Sequence, residues 1–152
     1  MEIERKYLLH RLPEKLEQYP RLRIEQGYLC TAPVVRIRRQ DDTYYLNYNG
    51  SGLMIREEYN LPLTEASYAH LREKIDGILL SKTRYLLPLK GNLTAELDVF
   101  DAPYEGLWLV EVEFPDQQSA EQFVPPEWFG EDVTFSAKYH NSTLSLPSSS
   151  AS

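Results

Sequence analysis

The sequence predicts a mainly β protein with some helix: an eight-stranded antiparallel β-barrel or tunnel with helices packed outside it. Two observations carry this expectation. Short extended segments are separated by compact turn signals from residue 2 to residue 114. Along those segments one face is repeatedly charged and the other apolar, the period of two that a strand imposes. Strands joined mostly by hairpins favour an antiparallel sheet, and closing that sheet hides its edges.

Taken in order, residues 2–9 and 22–30 read as strands, with a short helical or irregular piece around Pro13–Gln18 between them. Val34–Gln40 meets Thr43–Tyr48 across Asp41-Asp42, and that strand meets Leu53–Leu61 across Asn49-Gly50-Ser51-Gly52. After Pro62, Thr64 is placed to cap a helix. Glu65 sits in its first turn, Tyr68, Leu71 and Ile75 share a face, and Gly77 is expected to end it. Ser81–Leu89 and Leu93–Phe100 form a hairpin across Lys90-Gly91-Asn92, and Leu107–Phe114 is the eighth strand. A short helix is expected over Asp116–Phe123. One domain is expected over residues 1–146, followed by a flexible serine-rich tail over 147–152.

Composition narrows the function class. The chain has 152 residues, 42% hydrophobic and 26% charged, which argues against global disorder. No apolar stretch is long enough for a transmembrane helix, and no apolar signal region follows Met1. Cys30 is the single cysteine, so neither an intrachain disulfide nor a thiolate zinc cluster can form, and a cytoplasmic setting is expected. His10, His70 and His140 show no metal-ligand spacing. A net charge of −7 argues against a generic nucleic-acid or anionic-membrane binder.

The local arrangement of charge is more informative. Glu2, Glu4 and Lys6 share one face; so do Arg36 and Arg38, Arg56 and Glu58, Lys82 and Arg84, Glu96 and Asp98, and Glu111 and Glu113. The signs are sorted by strand, with bases at 36–38 and 82–84 and acids at 96–98 and 111–113. A solvated surface gives no reason for such sorting, whereas an ionic, water-filled lumen does. Guanidinium forks bind phosphate oxygens, and carboxylates hold Mg²⁺ or Mn²⁺. A metal–polyphosphate ligand satisfies both sets.

These segments resemble the CYTH superfamily, also called triphosphate tunnel metalloenzymes. The resemblance runs from Glu2-Ile3-Glu4-Arg5-Lys6 through Arg36-Ile37-Arg38, Arg56-Glu57-Glu58-Tyr59, Lys82-Thr83-Arg84-Tyr85, Glu96-Leu97-Asp98 and Glu111-Val112-Glu113 to Lys138-Tyr139-His140-Asn141. It implies an eight-stranded antiparallel tunnel and metal-dependent hydrolysis of inorganic triphosphate or an organic triphosphate. It implies metal binding by Glu2, Glu4, Glu111 and Glu113, with Mg²⁺ or Mn²⁺ as cofactor. Lys6, Arg36, Arg38, Arg56, Lys82, Arg84 and Lys138 match bases that grip the triphosphate. Glu58, Glu96 and Asp98 match acidic tunnel residues that orient the attacking water, hold a second metal or position nearby bases.

One position departs from the family pattern: Asn49 stands where a phosphate-binding lysine is expected, with Tyr45 and Asn47 on the same face. Two other readings follow from the same residues, a nucleotidyl cyclase of the adenylyl type and a non-catalytic polyphosphate-binding module. Cys30 is expected to be a small buried hydrophobe, and His140 to make a local hydrogen bond or lie exposed. Trp108 and Trp128 are expected to pack outside the barrel or at one end of it.

Overall fold

In a computed structural model, residues 2–50 and 54–146 are described, apart from the side chains of Arg56 and Ser142. The tail expected over 147–152 and the tip of the hairpin at 51–53 lie outside the described residues.

Ten antiparallel strands form the sheet. They are β1 (Glu2–Leu9), β2 (Arg21–Thr31), β3 (Val34–Gln40), β4 (Thr43–Asn49), β5 (Ile55–Arg56), β6 (Glu58–Leu63), β7 (Asp76–Pro88), β8 (Thr94–Phe100), β9 (Trp108–Glu113) and β10 (Phe129–Asp132). The eight expected strands are all present, with two differences. The fifth is broken at Glu57, because its two halves have different partners. Ile55–Arg56 pair with Ile3 and Glu2 of β1, whereas Glu58–Leu63 pair with β4. The hydrogen-bonded ladder is therefore not a continuous closed ring; the chain itself crosses the gap between β4 and β1. The second difference is β10, which pairs with the latter half of β1 on the same edge that β5 uses at its start.

Three α-helices accompany the sheet: α1 (Glu65–Arg72), α2 (Gln117–Gln122) and α3 (Asn141–Leu144). The Thr64 hydroxyl accepts from Ser67 N at 3.0 Å and the Ser67 hydroxyl accepts from Thr64 N at 2.9 Å, a reciprocal cap. The helix stops at Arg72, earlier than expected, and Gly77 belongs to the start of β7. Its φ of +74° and a carbonyl oxygen of Ser145 only 2.0 Å from where a Cβ would stand leave room for glycine alone. That contact seats the C-terminal segment, with Ile78 N donating to Ser145 O at 2.6 Å.

Alternation divides the core in two. On the outward face, Tyr7, Leu97, Val110 and Val112 pack with Ala120 of α2 and Phe129 of β10, and Trp128 joins this cluster. A second cluster lies on the inward face, where Leu80, Phe100 and Leu109 meet Val133 and Leu144. These three strand residues share their faces with Lys82, Asp98 and Glu111, so the inner wall changes along its length from charged to apolar. The C-terminal segment covers the apolar end. No described helix is long and apolar enough to cross a membrane. Cys30 is half-buried, not enclosed as expected, because the start of β3 leaves that end of β2 open to solvent.

Candidate active site

The inward faces of β1, β3, β4, β6, β7, β8 and β9 enclose a polar cavity of about 340 Å³. Of the residues singled out by periodicity, Glu2, Glu4, Lys6, Arg36, Arg38, Glu58, Arg84, Glu96, Glu111 and Glu113 all line it. Register explains this convergence. Glu4 stands opposite Glu113 and Lys6 opposite Glu111 on β9, and Glu111 stands opposite Glu96 on β8. Cross-strand partners share a face, so these five side chains meet from three neighbouring strands.

Exposure falls from Glu113, which is open, to Glu4 and Glu111, which are buried, and ends at Lys82 and Asp98, at 0% and 1%. Lys82 and Asp98 do not line the cavity. The expectation that Lys82 touches a ligand is corrected, because periodicity gives the face but not the depth; of the three roles expected for Asp98, its contacts match the positioning of nearby bases. Lys82 Nζ lies 2.7 Å from Asp98 Oδ2 and 5.3 Å from the centre of the Phe100 ring. Burial pushes the Lys82 ammonium down to about 8 even with Asp98 beside it.

Asp98 also accepts two hydrogen bonds from Arg84, from Nε at 2.8 Å and from Nη2 at 3.0 Å. Arg84 reaches Glu96 and Glu111 as well, each at 3.4 Å. Burial opposes charge on Asp98, but Arg84 and Lys82 outweigh it and hold the carboxyl below its usual range. Glu111 is likewise opposed by burial, yet Lys6, Arg84, Lys82 and a hydrogen bond with Glu4 hold it well below the carboxylate range. Glu96 goes the other way: burial raises it, and Arg84 does not fully compensate.

The opposite wall is built from guanidiniums and amides. Arg36 Nε donates to Asn47 Oδ1 at 2.9 Å, and its Nη1 lies 3.4 Å from the Tyr28 hydroxyl. Arg38 donates from Nε (3.1 Å) and Nη2 (2.7 Å) to Gln26 Oε1, and its Nη1 lies 3.4 Å from the Tyr45 hydroxyl. Asn49 Nδ2 donates to Asn47 Oδ1 at 2.7 Å, and Asn47 Nδ2 donates to Asn60 Oδ1 at 2.6 Å. Tyr45, Asn47 and Asn49 all line the cavity, in agreement with their expected face.

One further expectation is corrected. Lys138 is exposed, with its ammonium over the Tyr139 ring at 5.3 Å, and does not reach the cavity. His140 and Asn141 line it instead, because Ala137–Tyr139 form a 3-10 turn that leads into α3 and the strand period of two does not apply there. The Arg56 side chain lies outside the described residues; its backbone pairs with Glu2. Tyr28, Asn60 and Thr134 also line the cavity and were missed for want of charge. The period of two would have placed Asn60 beside Glu58.

No three Asp, Glu, His or Cys side chains among the described residues already converge around an ion position. Six carboxylates, of Glu2, Glu4, Glu58, Glu96, Glu111 and Glu113, nevertheless line one cavity together with Arg36 and Arg38.

An antiparallel sheet around a cavity walled by guanidiniums and carboxylates defines a site suited to a polyanion. No family model matches the chain. It is 37% identical over 149 residues to an inorganic triphosphatase of Nitrosomonas europaea, covering 95% of this chain and 97% of that protein. An inorganic triphosphatase of Acetivibrio thermocellus is 36% identical over 124 residues, 78% of this chain and 77% of that one. The crystal structure of the inorganic triphosphatase NE1496 superposes with a TM-score of 0.72 at 35% identity, covering 96% and 95% of the two chains. The protein HpAC1 from Hippeastrum, at 14% identity and a TM-score of 0.57 over 80% of this chain and 83% of that one, shares the fold. The chain belongs to the CYTH, or triphosphate tunnel, family.

Proposed function

We propose that the protein is a metal-dependent triphosphatase that cleaves a terminal phosphoanhydride of inorganic triphosphate inside the tunnel. The observation that carries this reading is one buried cavity lined by Arg36 and Arg38 on one wall and by Glu4 and Glu111 on the other. A chain of phosphates fits the first wall and a divalent cation the second. The similarity to inorganic triphosphatases over 95% of the chain supports the same substrate.

The donors fit the cation. Glu4 and Glu111 are both buried at the cavity wall, and two buried carboxylates in one cavity favour a cation beside them. With Glu2 and Glu113 beside them, they offer hard oxygen ligands suited to Mg²⁺ or Mn²⁺. When bound, the cation supplies charge neutralisation at the phosphate oxygens.

The chain's own residues do the rest. Lys6, Arg36 and Arg38 hold the phosphates and offset charge on the leaving pyrophosphate. Arg84 and the buried Lys82–Asp98 pair orient Glu96 and Glu111. Glu96, raised by burial and half-buried at the cavity wall, is placed to accept the proton of the attacking water. Glu58 lies across the cavity as a second acidic group. The new P–O bond forms as the terminal phosphoanhydride bond breaks, and catalysis comes from positioning and electrostatics. The lone half-buried cysteine is compatible with a reducing cytoplasm.

The test is phosphate release from inorganic triphosphate, ATP and thiamine triphosphate, with and without Mg²⁺ or Mn²⁺. Fastest release from inorganic triphosphate supports the proposal. Cyclic nucleotide from ATP would make the protein a cyclase, and binding without turnover a polyphosphate-binding module.

Asn49 gives a graded prediction. Its Oδ1 is buried and has no partner among the described residues, while Glu58 stands directly across the ladder. Asn49→Lys introduces an ammonium between Glu58 and the phosphates. A charge-assisted contact contributes about 1.5–3 kcal/mol, so KM for triphosphate should fall roughly tenfold or more. Glu58 offsets repulsion from Arg36, so melting of the free protein should change little. An unchanged KM in steady-state assays would show that position 49 does not meet the phosphates.

A further inference from the structure

Among the basic side chains of the cavity, Arg84 and Arg38 are held in opposite ways. Arg84 has its fork spent on carboxylates, with Asp98, Glu96 and Glu111 all within 3.4 Å. Arg38 is equally buried, but the groups that hold it are the amide oxygen of Gln26 and the hydroxyl of Tyr45. A guanidinium has only donors, so the atom of Gln26 that receives its two bonds must be the oxygen. This fixes the amide orientation and leaves Gln26 Nε2 buried without a partner among the described residues. Gln26 is 0% exposed and does not line the cavity, whereas Arg38 does.

Backbone geometry supports this placement. Gln26 stands opposite Arg38 in the β2–β3 ladder, on the shared inward face. The register of β2 against β7 shifts between Gln26 and Tyr28. At Gly27, between them, a Cβ would lie 2.8 Å from the Ile75 side chain, so close packing there favours glycine.

We propose that Gln26 is a positioning residue for triphosphate binding: it locks the Arg38 fork by a neutral acceptor, so that the guanidinium keeps its charge for the phosphates. A carboxylate at the same place would hold the fork as firmly and neutralise it. Crowding by Arg36 and Arg84 adds to burial in lowering the Arg38 pKa, as expected for a cation short of anionic neighbours. This inference rests on the triphosphatase reading above.

Gln26→Glu separates the two roles because it is nearly isosteric. A purely structural role predicts unchanged or raised melting temperature and unchanged kinetics. The proposal predicts melting at or above that of the unaltered protein, with KM for triphosphate raised about tenfold and kcat changed less than threefold, since a charge-assisted contact is lost mainly in binding. Gln26→Met, which keeps volume without charge or acceptor, should raise KM about threefold through loss of the locked geometry. Both are measured in steady-state assays with saturating Mg²⁺, alongside thermal unfolding. If Gln26→Glu does not fold, Gln26→Met decides alone. An unchanged KM in the folded variants overturns the positioning role while leaving the triphosphatase reading intact. Failure of the unaltered protein to bind or cleave triphosphate overturns both.

Discussion

Glu111→Gln should abolish most triphosphate turnover while leaving a folded protein. Glu111 is buried at the cavity wall, 3.4 Å from Arg84 and opposite Lys6 in the ladder, and is proposed above as an oxygen donor for the cation. Altering a group that merely supports a metal ligand costs about 10–100-fold in affinity or activity, so removing the ligand's charge should cost at least ~100-fold. Excess Mn²⁺ should recover part of the loss by mass action, and a chelator should silence the unaltered protein. The measurement is initial rate against metal concentration for both proteins. Chelator-resistant turnover, or a variant within twofold of the parent, contradicts the metal-site assignment.

Asp98→Asn should lower stability more than any other single change at the site. Asp98 is the shared anion of two buried cations, Lys82 at 2.7 Å and Arg84 at 2.8 Å. Removing one member of a buried ionic set leaves an uncompensated charge and costs about 3–5 kcal/mol. For a chain of this size, that is a fall in melting temperature of roughly 10 °C. A Lys82→Met/Asp98→Leu double variant, which removes one cation with the anion, should recover much of it. The pH dependence has a definite sign. The folded-state pKa of Asp98 is depressed, so its stabilisation is present above the ordinary carboxylate pKa, near 4, and is lost as pH falls through the lower folded value. The variant should lack that part of the acid sensitivity. Melting within 2 °C of the parent, an order-of-magnitude bound on a lost buried pair, would contradict the assigned packing.

The legible part of this molecule is the part governed by strict alternation. Glu2, Glu4 and Lys6, or Glu111 and Glu113, could be assigned to the lumen because a strand leaves each side chain one of two faces. Depth along a strand is not encoded in that period. Lys82 and Arg84 read alike in sequence, yet one is sealed above Phe100 and the other meets the cavity. Partner changes are equally silent: nothing local at Glu57 announces that the residues before it pair with β1 and those after it with β4. The four-residue β10 exists because β1 offers it an edge beyond β5, a tertiary cause. After β10 the chain turns through a short 3-10 helix into α3, so the strand period gave no basis for choosing Lys138 over His140. Uncharged wall residues were overlooked for a different reason. A search for charge passes over Gln26 and Tyr28, although they lie on strand β2 at the required spacing.

Terminal cleavage of inorganic triphosphate in this cavity is read directly by phosphorus-31 NMR of the purified chain with triphosphate and Mg²⁺, followed in time and repeated with Mn²⁺ by quenched sampling. The triphosphate signals should be lost as phosphate and pyrophosphate appear in equal amounts, with none of this in chelator. Triphosphate that remains intact while shifted by binding, or products that form equally well without a divalent cation, would contradict it.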